Sequence, residues 1–133
     1  MIFIDANIFI RYFVSDDSYK SKKVEELFQK IVNGETESFT NQMVIAEIVW
    51  VLDKFYDMDR QSICDNIEFI LNTPNLKVKE KNILFKAIDI YRNSNIDFID
   101  AYNYSYILIN NADSIFSYDT HFDKLESIKR IEP

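Results

Sequence analysis

The chain opens with Ile2-Phe3-Ile4-Asp5-Ala6-Asn7, in which three apolar residues suited to a buried strand are followed at once by an aspartate. A helical pattern comes next, and the same alternation of strand and helix recurs along the chain. Strands separated by helices predict a parallel sheet covered by helices on both faces. Asp5 is therefore expected at the carboxyl end of the first strand, the edge where open α/β sheets build their sites.

The later elements follow from hydrophobic periodicity and from turn residues. The segment 7–13 is predicted as a short helix or turn, and a longer helix begins after capping residues in 15–18 and stops at Asn33-Gly34. Further helices are predicted over 43–55, 63–71, 83–92 and 98–111, and further strands over 38–40, 76–79, 114–118 and 128–131. With no repeat or flexible linker, the 133 residues predict one domain over 1–133.

Composition favours an ordered globular protein, since 47% of residues are hydrophobic, 15% are aromatic and 28% are charged. Cys64 is the only cysteine, so no internal disulfide can form. No signal-like segment and no uncharged run long enough to cross a bilayer is recognisable. These features predict a cytoplasmic protein without a membrane partner.

The net charge of −7 argues at first against a nucleic-acid partner. Five of the 22 acidic residues belong to the acidic motifs, however, and the other 17 almost balance the 15 basic residues. Short basic groups can contact phosphates, although each is also typical of a solvated surface. They are Lys20 with Lys22 and Lys23, Lys77 with Lys79 and Lys81, and Lys129 with Arg130.

Four acidic motifs are spread along the chain at Asp5, Glu47, Asp97 with Asp100, and Asp119. Glu47 stands inside the apolar segment 43–52, so it is expected to be buried and then protonated, paired or bound to a cation. Asp119 follows a strand as Asp5 does, whereas Asp97 and Asp100 begin a helix, where capping is an equally good use for them. Carboxylates brought together repel, and oxygen ligands without a histidine or cysteine cluster favour Mg²⁺ or Mn²⁺.

The four motifs together resemble those of the PIN-domain ribonucleases, and among these the VapC-like toxins. The segments that carry the resemblance are Asp5-Ala6-Asn7, Val44-Ile45-Ala46-Glu47-Ile48, Asp97-Phe98-Ile99-Asp100-Ala101 and Ser117-Tyr118-Asp119-Thr120-His121-Phe122. The likeness covers essentially the whole chain, in order. It implies a three-layer α/β/α sandwich with a parallel central sheet, one PIN-like domain over 1–133, and a Mg²⁺- or Mn²⁺-dependent endoribonuclease.

The resemblance also implies roles for individual residues. The metal-binding and catalytic acids would be Asp5, Glu47, Asp100 and Asp119. Asp97 would be an auxiliary ligand or a cap, while Asn7 and Ser117 would orient the acids. Ala6 departs from the Thr or Ser often found there, which removes one hydrogen bond but no ligand.

Two further residues and the partners complete this interpretation. Arg11 suits either a substrate phosphate or a structural ion pair, and His121 is expected on the surface in a variable turn rather than as a general base. The resemblance implies an RNA substrate, a cognate antitoxin that covers the acidic cleft, and a homodimer.

Two alternatives from other classes stay open. A receiver-like phospho-acceptor domain is also small, acidic and α/β, but it wants adjacent acids after its first strand, whereas Asp5 stands alone. A PIN-like module that binds without catalysis is disfavoured by the full set of acids.

Overall fold

Short strands and helices alternate along the chain in the computed structural model, which describes all 133 residues. In chain order the elements are β1 (Ile2–Phe3), α1 (Ala6–Phe13), α2 (Ser18–Val32), β2 (Ser38–Thr40), α3 (Gln42–Lys54), α4 (Arg60–Leu71), β3 (Leu76–Val78), α5 (Lys81–Asn93), α6 (Phe98–Ile109), β4 (Ser114–Phe116), a 3-10 helix (Thr120–Lys124) and β5 (Lys129–Ile131). The residues form two units, Met1–Lys81 and Asn82–Pro133. The single domain expected for 1–133 stays a prediction.

The first unit contains a parallel three-stranded sheet in the order β1-β2-β3. Beyond the end of β1, the amide of Ile4 donates to the carbonyl of Phe39 at 2.9 Å, and the buried Thr40 hydroxyl donates to the carbonyl of Ile4 at 2.9 Å. These two bonds fix the backbone immediately before Asp5. The alternating residues of the third strand predict an edge strand, and this prediction is confirmed. β3 is outermost and buries Leu76 and Val78 while exposing the residue between them.

Helix α3 buries one stripe of apolar residues and exposes the opposite side. The buried residues recur at helical spacing and are Val44, Ile45, Ile48, Val49 and Leu52. On the other side, the side chains of Met43 and Trp50 are 73% and 63% exposed. The helix begins at a side-chain cap, because the Asn41 side-chain oxygen accepts the Val44 amide at 3.0 Å.

The second unit joins a helix pair to a parallel two-stranded sheet. The fully buried Ser105 hydroxyl of α6 donates to the carbonyl of Ile83 in α5 at 2.9 Å, and the Tyr91 and Phe98 rings meet edge to face. β4 pairs with β5 in parallel, with Ile115 opposite Arg130. The 3-10 helix between them is an element that the sequence pattern did not predict.

The fold class predicted from the sequence, α/β with parallel strands, is confirmed in both sheets. The predicted helices and strands lie where expected, and most strands are shorter than predicted. No helix is both long enough and apolar enough to cross a membrane.

Candidate metal centre

Three potential metal ligands lie together in the second unit, on Asp100, Asp119 and His121. One ligand atom from each lies within 4.8 Å of the other two. Asp100 is in the first turn of α6, and Asp119 precedes the 3-10 helix whose second residue is His121. Two of the predicted metal-binding acids are therefore neighbours, and a histidine joins them.

The surroundings of Asp100 disfavour the ionised form of its carboxyl group. Partial burial raises the pKa of the Asp100 carboxyl, and the nearby carboxylates of Asp119 and Asp97 raise it further, while His121 opposes the change. A carboxyl whose ionised form is disfavoured by neighbouring acids is stabilised when a cation neutralises them. Asp97 thus belongs to the electrostatic surroundings of Asp100.

The Asp119 carboxylate is oriented by contacts within its own turn. Its Oδ1 accepts the backbone amide of His121 at 2.9 Å and lies 2.9 Å from Nδ1 of the same residue. The backbone amide of Asp119 donates to the Ser117 hydroxyl at 3.0 Å. Ser117 therefore acts on the backbone of the acid rather than on its carboxylate, and His121 is the residue that touches the carboxylate.

Arg130 anchors the turn that carries Asp119. Its guanidinium contacts both carboxylate oxygens of Asp123, at 2.8 and 3.2 Å, and donates to Glu132 at 2.7 Å and to the Ser117 carbonyl at 3.0 Å. These hydrogen bonds lower the pKa of the Asp123 carboxyl and raise the pKa of Arg130. The side chain is 14% exposed, so this arginine has a structural role rather than a place on an open phosphate-binding surface.

In the first unit, Asp5 occupies the N-cap position of α1 without acting as a side-chain cap. Asp97 does the same at α6. By contrast, Asp17 and Asp59 cap α2 and α4 by accepting backbone amides at 3.0 Å. A carboxylate that stands at a helix start without a cap hydrogen bond is free to bind something else.

Glu47 is exposed, so the expectation that it is buried is wrong. It lies on the outer side of α3, away from the buried stripe and on the side where Met43 and Trp50 are exposed. Its side chain lines a cavity of about 210 Å³ that is also lined by Asn7 and Arg11. Three of the predicted functional residues therefore share one cavity, and Asp5 is not among its lining residues.

Arg11 is engaged in an ion pair at the rim of this cavity. Its Nη1 lies 2.9 Å from Oδ1 of Asp16, and the Tyr56 hydroxyl donates to Oδ2 of the same acid at 3.4 Å. Of the two roles that the sequence left open for Arg11, the structural ion pair is present. Because both partners are partly exposed, such a pair contributes little to stability.

Comparison with known proteins gives the family. The family model of the PIN domain matches residues 2–128. The chain belongs to the PIN domain family. This confirms the resemblance drawn from the four acidic motifs.

Two known proteins are similar to this PIN-family chain. A VapC ribonuclease from Aquifex aeolicus (strain VF5) is 28% identical over 89 residues, which make up 67% of this chain and 66% of that relative. The crystal structure of Mycobacterium tuberculosis VapC20, a toxin that cleaves the sarcin–ricin loop, covers all of both chains with a TM-score of 0.43 and 12% identity. The chain thus spans just under two thirds of the length of the VapC ribonuclease.

The donor chemistry of this PIN-family chain fits a divalent cation. Asp100 and Asp119 supply hard carboxylate oxygens, and burial together with the charges of Asp119 and Asp97 raises the pKa of Asp100. Such oxygens suit Mg²⁺ and Mn²⁺. The nitrogen of His121 is a donor that the expected oxygen-only set did not include, and its only signal in the sequence is a histidine two residues after an acid.

Proposed function

We propose that this chain is a Mg²⁺- or Mn²⁺-dependent endoribonuclease that hydrolyses RNA phosphodiester bonds. The observation that carries the proposal is the Asp100, Asp119 and His121 cluster, whose ligand atoms lie within 4.8 Å of one another. The raised pKa of Asp100 supports it, since the gathered carboxylates favour a cation. Membership of the PIN domain family and the similarity to a VapC ribonuclease support the reaction and the substrate class.

The roles are proposed residue by residue. The metal-binding and catalytic acids are Asp5, Glu47, Asp100 and Asp119, with Asp97 as an auxiliary acid. When bound, the cation supplies the Lewis acidity that activates water and neutralises charge on the phosphate. Ser117 holds the backbone before Asp119, and Asn7 shares the cavity wall with Glu47. Arg11 exchanges its ion pair with Asp16 for a substrate phosphate.

We further propose that the chain is the toxin of a toxin–antitoxin pair, with a cognate antitoxin protein, a homodimeric state and a cytoplasmic location. The similarity to a VapC ribonuclease supports this assignment. The family match over residues 2–128 argues against the receiver-like alternative. Expression that arrests growth, and relief of that arrest by the product of an adjacent short gene, is the expected cellular result.

Cleavage of end-labelled RNA tests the proposed reaction. Wild-type protein should cut RNA internally in Mg²⁺ or Mn²⁺ and not in EDTA. Asp119→Asn and Glu47→Gln should each slow cleavage by about a hundredfold or more, because several kcal/mol of transition-state stabilisation depend on the cation and its ligands. Asp5→Asn should behave in the same way.

Matched controls separate the proposed metal-binding role from the general effect of removing a carboxylate. Asp113→Asn changes an exposed acid in the unit that carries Asp119, and Asp53→Asn changes an acid on the same helix as Glu47. Both should keep the wild-type rate, and melting curves should show that every variant folds. Wild-type cleavage rates for Asp119→Asn or Asp5→Asn would refute the assignment, and wild-type protein that binds Mg²⁺ without cutting RNA would favour the non-catalytic module.

A further inference from the structure

A second and larger groove lies beside the Glu47 cavity in the first unit. Its volume is about 550 Å³, and it is lined by Asn7, Ile8, Arg11, Lys20, Lys23 and Val24. Three of these six residues are cationic, although the whole chain carries a net charge of −7. Positive charge gathered at one place on an acidic protein indicates a surface that binds anions, because the average surface would repel a polyanion.

The geometry of α2 selects which lysines face the groove. Lys20 and Lys23 are three residues apart and lie on the same side of the helix, so both line the groove. Lys22, between them, does not line it, and neither does Lys30 farther along the same helix. The sequence left the role of Lys20, Lys22 and Lys23 open. In the fold, Lys20 and Lys23 line the groove and Lys22 lies outside it.

The acids near the groove do not neutralise it firmly. Lys23 pairs with Glu26 at 3.6 Å, but both side chains are more than half exposed, so the pair is weak. Asp17 uses its carboxylate to cap α2, and Asp16 pairs with Arg11. Phosphate groups entering the groove would compete with exposed, solvent-screened partners rather than with buried ones.

The basic groove adjoins the cavity that Glu47 lines. Asn7 and Arg11 line both, so they form the wall that the two spaces share. An extended chain of phosphates lying along Lys20 and Lys23 would therefore also meet Arg11, which lines the cavity beside Glu47. A small anion would need only one of these cations, whereas the row of cations suits a linear polyanion.

We propose that the groove lined by Arg11, Lys20 and Lys23 binds the sugar–phosphate backbone of single-stranded RNA next to the bond to be cut. The proposal rests on the proposed ribonuclease function and adds the surface that holds the substrate. No aromatic side chain lines the groove, so it contacts the backbone without stacking on bases. Binding through this groove is consequently electrostatic and tolerant of base sequence.

The test compares two double variants with the same change of charge. Lys20→Ala with Lys23→Ala removes the two lysines of the groove, while Lys22→Ala with Lys30→Ala removes two lysines of the same helix outside it. Fluorescence anisotropy with a labelled single-stranded RNA of about a dozen nucleotides measures affinity over a range of salt concentrations. Both variants are made on an Asp119→Asn background in Mg²⁺, so that the RNA is not cut during the measurement.

We expect the groove variant to bind about tenfold or more weakly at low salt. The slope of log K against log salt concentration should fall in magnitude by about 1.4, since each phosphate contact on a single strand contributes about 0.7. The control variant should bind within about twofold of its parent. On the wild-type background, the groove variant should raise KM for RNA cleavage far more than it lowers kcat.

Equal weakening in the two double variants would overturn the proposal, because the effect would then belong to net charge. Unchanged affinity and salt slope in the groove variant would overturn it as well. Neither result touches the ribonuclease assignment, which stands or fails on cation-dependent cleavage by the wild type. The binding measurement decides the groove even where no cleavage is observed.

Discussion

Asp100 shows what the cluster does to a single carboxyl group. Burial first, and then the carboxylates of Asp119 and Asp97, raise the pKa of Asp100 in the folded chain. A group with a raised folded pKa contributes stability below its unfolded pKa and loses that contribution as pH rises through the folded pKa. At neutral pH, ionised Asp100 therefore lowers the stability of the metal-free protein.

Asp100→Asn should accordingly raise the melting temperature of the protein in EDTA at pH 7, and the difference from wild type should shrink as the pH falls through the raised folded pKa and be small below the unfolded pKa of about 4. In saturating Mg²⁺ the order should reverse, because the wild type gains the free energy of cation binding and the variant does not. Thermal melting between pH 3 and 8 measures both effects. Asp113→Asn, an exposed acid elsewhere in the same unit, is the control. A lower melting temperature for Asp100→Asn in EDTA at pH 7 would contradict this account.

At the scale of elements, the helix starts divide into those with a side-chain cap and those without one. Asn41 accepts the Val44 amide at 3.0 Å, whereas Asp97 occupies the N-cap position of α6 without a side-chain bond. Asn41→Ala should cost about 1 kcal/mol of unfolding free energy, and Asp97→Ala much less. Urea unfolding in EDTA measures both. Equal costs would mean that Asp97 is a structural cap, and would weaken its proposed place beside the metal-binding acids.

The elements that the sequence predicted well are those with a local signal. The helical periodicity of α2 and α3 and the alternation in β3 depend only on residues close in sequence. The predicted bounds of these elements therefore agree closely with the observed ones. Glu47 was misplaced because a run of apolar residues does not say which of them form the buried stripe. Its exposure follows from packing between elements, which the run does not encode.

The functional contacts that the sequence missed are non-local or depend on the shape of a turn. Arg130 reaches Asp123 and the Ser117 carbonyl only because β4 and β5 pair and the 3-10 helix folds between them. His121 meets the Asp119 carboxylate because that turn places both on one side. Neither contact leaves a periodic trace. The sequence left Arg130 open between a phosphate contact and a solvated surface, and it placed His121 on the surface, where it lies, without showing that it contacts Asp119.

For the whole molecule, the charge of the chain divides into an acidic part and a basic part. The motif acids account for most of the net charge of −7, and the cations that line the groove lie on α1 and α2. Under the proposed function, an RNA strand would be repelled by the average charge and attracted by one local surface. A cation bound by the acids would lower the repulsion that opposes the approach of RNA to the groove.

Cooperativity tests the prediction that 1–133 is one domain. A single domain of this length should unfold in one transition, and a cation bound only by the folded state should move that whole transition upward. At a free Mg²⁺ concentration of about 100 times Kd the gain is about 2.7 kcal/mol, which is several degrees for a chain of this size. Calorimetry with and without Mg²⁺ measures it, and Asp119→Asn should abolish the shift. Two transitions, only one of which moves with Mg²⁺, would mean that Met1–Lys81 and Asn82–Pro133 unfold as separate domains.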